Sequence, residues 1–139
     1  MILGIGTDLT SIDRIRQVLA DHGDRFITRC FAPEEHEYVE EKAAEKPHLA
    51  AGGYAKRWAA KEACAKALGL GIRGDIYLRD IVITNDSEGK PSLTLQGGAK
   101  DRLTRMTPEG MTPVIHLSLT DEPPMALAFV VISAVVKTA

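Results

Sequence analysis

The chain is poor in the features that mark several functional classes. Its 139 residues include only two cysteines, Cys30 and Cys64, far from any C-x-x-C spacing. A zinc site or a dithiol redox pair is therefore not indicated, and two free thiols suit a reducing cytosol. There is no basic excess: 17 lysines and arginines face 19 aspartates and glutamates, for a formal net charge of -2. A dedicated nucleic-acid binder carries the opposite balance. The apolar stretch from Met125 to Val136 is shorter than the ~20 residues that a membrane-spanning helix needs. The opening Met1-Ile2-Leu3-Gly4-Ile5-Gly6 lacks the basic start and long apolar run of a signal peptide, and Asp8 cuts it short. No repeat or low-complexity tract is visible. P-loop, dinucleotide fingerprint and HExxH motifs are absent as well. These absences predict a soluble, cytoplasmic protein with no membrane and no nucleic acid among its partners.

What is present is a composition that folds. Apolar residues make up 45% of the chain, too many for disorder. The length predicts one domain over residues 1–139. Ile2 to Thr7 reads as a buried strand. Thr10-Ser11 offers a helix N-cap, and Ile12, Ile15, Val18 and Leu19 recur at helical spacing up to Gly23. Asp24 to Phe31 reads as a short helix or turn. Pro33, Glu34 and Glu35 suit the first turn of a helix that fades near Pro47. Another helix runs from about Gly53 to Leu68 and stops at Gly69 and Gly71. The second half reads as strands over Ile76 to Thr84, Ser92 to Leu95, Val114 to Leu119 and Met125 to Ser133, with a short helix from Ala99 to Met106. Asn85 to Gly89 is a turn, and a further turn falls at Pro123-Pro124. The fold class is α+β, with helices packed on a mostly antiparallel sheet.

Four short segments carry polar groups suited to chemistry, and each also has an ordinary reading. In the third helix, Ala59, Ala60, Ala63, Cys64, Ala67 and Leu68 form an apolar face, with Glu62 and Lys66 one turn apart on its rim. Alone, that pair is a surface ion pair worth about 0.3–0.5 kcal/mol. In the first strand, Gly4, Gly6 and Asp8 share one face. The glycines serve either close packing or open space beside a carboxylate at the strand end. In Val114 to Asp121, alternation puts Ile115, Leu117 and Leu119 on one face and His116, Ser118 and Thr120 on the other. That polar stripe is either solvated or set to bind phosphate. Gly89-Lys90-Pro91 lies in a hairpin turn, where a lysine is ordinarily solvated.

Together and in this order, the four segments resemble the holo-acyl-carrier-protein synthase family of phosphopantetheinyl transferases. The residues that carry the resemblance are Gly4-Ile5-Gly6-Thr7-Asp8, Trp58-Ala59-Ala60-Lys61-Glu62-Ala63-Cys64-Ala65-Lys66, Gly89-Lys90-Pro91 and His116-Leu117-Ser118-Leu119-Thr120. The resemblance implies transfer of phosphopantetheine from coenzyme A to a serine of apo acyl carrier protein, within fatty acid biosynthesis. It implies Asp8 and Glu62 as ligands of a magnesium ion, a role that fits that ion's preference for one or two carboxylates plus substrate phosphates. Lys66 would neutralise the pyrophosphate, and His116, Ser118 and Thr120 would sit by phosphate oxygens. Gly69 and Gly71 would admit the nucleotide, with Gly89, Lys90 and Pro91 beside the adenine or its ribose phosphate. The base that takes the serine proton would be Glu62, Asp8 or His116. Arg14, Arg25 and Arg29, with Phe26 as apolar neighbour, would dock the acidic carrier protein. The family assembles as a homotrimer with shared active sites.

The sequence departs from the family at Leu70, where a small polar or acidic residue is usual, and at Ala32, where a serine or threonine cap is usual. The segments from Lys46 to Gly53 and from Met106 to Pro113 are long for the family. Two other readings remain at this level: a transferase for carrier domains of polyketide or peptide synthesis, and a non-catalytic carrier-protein or nucleotide-binding module.

Overall fold

The computed structural model describes residues 1–138. Strand β1 (Ile2–Ser11) is β-branched and glycine-rich, and it runs four residues further than the sequence suggested. Asp8 therefore lies within the strand and not at its end. Ser11 closes the strand and caps helix α1 (Ile12–Cys30), its hydroxyl accepting from the Arg14 N–H at 3.2 Å. Gly23, with φ of 45°, breaks α1 into two segments. Helix α2 (Pro33–Ala43) starts on Pro33. Ala32 has no side-chain oxygen for the cap, but its N–H donates to the Glu35 side chain at 2.9 Å. Helix α3 (Leu49–Ala67) absorbs most of the segment expected as a long loop before Gly53.

Strands β2 (Ile81–Asn85) and β3 (Pro91–Leu95) form a hairpin, followed by helix α4 (Gly97–Met106). The strand expected from Ile76 begins only at Ile81, because Leu78–Asp80 forms a 3-10 turn. Strands β4 (Met111–Glu122) and β5 (Met125–Val136) are both longer than expected. The three-stranded sheet has the order β1-β5-β4, all antiparallel, and the hairpin makes a separate two-stranded sheet. The α+β, antiparallel architecture is as expected. Among the described residues, no helix is long and apolar enough to cross a membrane.

The core lies between α3 and one face of the larger sheet. Ala59, Ala60, Ala63, Cys64, Ala67 and Leu68 are all buried there against Ala128, Val130 and Ile132 of β5, with Ile115, Leu117 and Leu119 of β4 at its margin. Leu70 packs on the same core. A Cβ on Gly6 would overlap the carbonyl oxygen of Ala63, and one on Gly4 that of Ala67. The two glycines therefore serve close approach of strand and helix, not free space for a ligand.

Candidate active site

The close contact of β1 and α3 sets the geometry of the polar residues. Gly4, Gly6 and Asp8 share the face of β1 that meets α3, so Asp8 emerges beside the helix just past the glycines. Asp8, Thr10, Arg14, Phe26, Trp58 and Glu62 line one cleft of about 450 Å3. The Asp8 carboxylate accepts from Thr10 Oγ1 at 2.7 Å and from Lys66 Nζ at 3.3 Å. Lys66 Nζ also donates to the backbone oxygen of Thr7 at 2.9 Å. Lys66 is thus tied to β1, while among the described residues the Glu62 carboxylate makes no hydrogen bond or ion pair. Burial first, and the Asp8 charge second, push the Glu62 carboxyl above its ordinary range, with Lys66 opposing them. Two half-buried carboxylates with one lysine between them leave an excess of negative charge. Hard oxygen donors in that balance suit a divalent cation such as magnesium. Among the described residues, no group of three or more metal-ligating side chains converges anywhere. A cation held by two carboxylates would complete its shell with substrate and water oxygens.

The other expected residues fall in three places. Arg25, Phe26 and Arg29 line a second depression, of about 790 Å3, together with His22 and Arg79. Phe26 lines both hollows, so the arginines run on from the Asp8–Glu62 cleft, which also takes in Arg14. Gly69 and Gly71 form the left-handed exit from α3, with φ of 84° and 67°. Gly89, Lys90 and Pro91 lie at the β2–β3 turn. His116, Ser118 and Thr120 pair with Val131, Phe129 and Leu127, on the sheet face opposite Asp8. His116 Nε2 lies 3.2 Å from Ser133 Oγ on that outer face. Within one chain, the sheet therefore separates His116, Ser118 and Thr120 from the Asp8–Glu62 cleft.

Several supporting residues carried no signal in the sequence reading. Arg57 is only 3% exposed, stacks 4.7 Å from the Tyr38 ring centroid, and donates to Asn85 Oδ1 at 2.6 Å. Asn85 in turn donates to the Gly89 carbonyl at 3.1 Å, bracing the Gly-Lys-Pro turn. Glu35 and Lys61 form a fully buried pair. Nothing in a single sequence pairs residues 26 or 28 positions apart. The one available hint was a lysine set among Trp58, Ala59, Ala60, Ala63, Cys64 and Ala65.

Comparison with known proteins identifies the family. Residues 4–128 match the 4'-phosphopantetheinyl transferase superfamily. A holo-[acyl-carrier-protein] synthase from Rhodopseudomonas palustris is 54% identical over 97% of this chain and 92% of its own length. The crystal structure of the holo-[acyl-carrier-protein] synthase from Neisseria meningitidis superposes with a TM-score of 0.78, at 39% identity, over 96% of this chain and 99% of that one. The Helicobacter pylori synthase, solved in complex with coenzyme A, gives a TM-score of 0.74 at 28% identity, over 93% of this chain and 99% of that one. With its fold, its order of motifs and its near full-length relatives in accord, the chain belongs to the 4'-phosphopantetheinyl transferase superfamily, among the holo-[acyl-carrier-protein] synthases.

Proposed function

We propose that this chain, as one domain over residues 1–139, transfers 4'-phosphopantetheine from coenzyme A to a serine of apo acyl carrier protein. The other product is 3',5'-ADP. The observation that carries the reading is the cleft in which Asp8 and Glu62 face each other with Lys66 one helical turn away. The serine oxygen forms a bond to the β-phosphorus of coenzyme A, and the bond from that phosphorus to the 3',5'-ADP oxygen breaks. Glu62, directly or through a water, takes the serine proton; it makes no hydrogen bond among the described residues, whereas the Asp8 carboxylate already accepts from Thr10 and Lys66. The Lys66 side chain is exposed, so its ammonium can leave Asp8 for the departing diphosphate. Asp8 and Glu62 would hold magnesium, which supplies charge neutralisation on the phosphoryl oxygens when bound.

Arg14, Arg25 and Arg29 around Phe26 would receive the acidic carrier protein next to the cleft. A homotrimer with shared sites is supported by the outer sheet face. It exposes Ile5 at 60%, Leu9 at 61% and Phe129 at 40% beside His116, Ser118 and Thr120. Exposed apolar residues clustered on one face mark an interaction surface. Assembly through it lets His116 serve a neighbour's phosphates. Gly69, Gly71, Gly89, Lys90 and Pro91 would border the nucleotide. The place of work is the cytoplasm, in fatty acid biosynthesis.

Incubation with apo carrier protein, coenzyme A and magnesium tests the reading by mass spectrometry. The carrier protein gains the mass of one phosphopantetheine group, and Asp8→Asn and Glu62→Gln lower the rate by about 100-fold or more. No mass gain with the parent enzyme overturns the proposal.

A further inference from the structure

Helix α3 carries Glu62 and Lys66, so its rotation about its own axis decides where they point. On the sheet side the contact is smooth: Ala63 and Ala67 meet Gly6 and Gly4 backbone to backbone. At these two points the contact has no side-chain hydrogen bond to fix its direction, and the Cys64 and Leu68 packing around it is apolar. At about 100° per residue, Lys61 lies roughly 160° round the helix from Ala63. There the contact is directional. Lys61 Nζ donates to Glu35 Oε1 at 2.7 Å, to the Leu78 carbonyl at 3.0 Å and to the Ile81 carbonyl, using all three ammonium hydrogens. Glu35 Oε1 also accepts from the Ala32 N–H at 2.9 Å, and Oε2 from the Ile83 N–H at 3.3 Å. Both side chains are fully buried. One knot thus ties α3 to the start of α2, to the 3-10 turn and to β2. A buried ion pair adds little net stability over well-packed apolar residues, and its best-attested use is to specify one arrangement.

We infer that Lys61 and Glu35 are positioning residues for the transfer reaction: their buried pair sets the rotation of α3 and so aims the adjacent Glu62 at Asp8. The inference rests on the role given above to Asp8 and Glu62. It predicts that stability and turnover separate when both charges are removed together.

Lys61→Met alone leaves Glu35 charged, buried and unpaired, and lowers the thermal midpoint by about 10 °C. The double variant Glu35→Gln, Lys61→Met removes both charges and keeps an acceptor for the Ala32 N–H. Its midpoint recovers to about halfway between Lys61→Met and the parent, because the unpaired charge is gone while the Leu78 and Ile81 carbonyls lack their donor. Its kcat stays at least about tenfold low, as expected for a misaimed group, while KM for coenzyme A and carrier protein stays within about twofold. Trp58 is the only tryptophan of the chain and lines the Asp8–Glu62 cleft from the same helix. Its fluorescence emission shifts in the folded double variant. A double variant with parental kcat and parental Trp58 emission overturns the inference.

Should the methionine variants not fold, Glu35→Gln and Glu35→Ala give the same decision. The amide oxygen introduced by Glu35→Gln still accepts from Lys61 and keeps kcat within about threefold, whereas Glu35→Ala loses at least about tenfold. Equal, parental kcat in both overturns it. Failure of the underlying site reading looks different, because Asp8→Asn and Glu62→Gln would then retain parental turnover.

Discussion

On the side of α3 that meets the sheet, the closest approach is between alanine and glycine, with Cys64, Leu68, Val130 and Ile132 packed around it. On the side that meets α2 and β2, contact is made by Lys61, Glu35, Arg57 and Asn85. Where α3 crosses β1, the small residues let two backbones touch, which brings Asp8 alongside Glu62 and Lys66. The second side is built from long side chains whose hydrogen bonds have direction. Proximity comes from the first and aim from the second. The two sides should therefore fail in different ways.

The largest effect is expected at Gly6. Alanine there meets the Ala63 carbonyl, a backbone atom that cannot move aside. Gly6→Ala should lower the thermal midpoint by about 10 °C or more, because the helix must lift from the strand. Circular dichroism melts check this, and turnover should fall with the midpoint. On the directional side, Asn85→Ala leaves the buried Arg57 guanidinium without its Asn85 acceptor and frees the Gly89 turn. The cost should be about 1–3 kcal/mol, seen as a lower urea midpoint with an unchanged slope. The smallest effect is a gain. Burial and Asp8 hold the Glu62 carboxyl above its ordinary range, so its charge opposes folding increasingly as the pH rises from the ordinary range, and fully above the raised value. Below the ordinary carboxyl range the group is protonated in both states and has no effect. Glu62→Gln should thus raise the metal-free midpoint by about 1–3 °C near pH 8. The gain should vanish as the pH falls through the raised value into the ordinary carboxyl range. Melts in a chelator across pH test the sign.

The contrast also explains what was legible in the sequence. The smooth side is written in local patterns. The apolar face of α3 follows helical spacing, the alternation of β4 follows strand spacing, and Gly4 and Gly6 announce that something comes close. Those patterns placed Asp8 on a strand and Glu62 with Lys66 on one rim of a helix; that the two meet followed from the family resemblance. They did not reveal what the glycines approach, because the Ala63 and Ala67 carbonyls carry no residue signal. The directional side is written in pairs distant along the chain. Glu35 sits in an acidic first turn and reads as a dipole partner, and Lys61 stands in the third-helix motif with no partner indicated. Their burial appears only once α2 and β2 close over them. The same knot explains the misplaced start of β2. The Leu78 carbonyl turns inward to Lys61, and the Asp80 N–H donates back to the Tyr77 carbonyl, so Ile76 to Asp80 curls where its apolar residues suggested a strand. His116 shows the reverse case: its alternation was plain, but only the register places it on the far side of the sheet from Asp8.

Strand β1 is an outer strand of its sheet, and outer strands offer unpaired carbonyls as templates for stray chains. The Lys66 ammonium sits on one of them, the carbonyl of Thr7. That carbonyl is therefore capped from within the chain, by a side chain of the helix packed beside it. Were the ammonium to move to a substrate phosphate, as proposed above, that carbonyl would be left open to water.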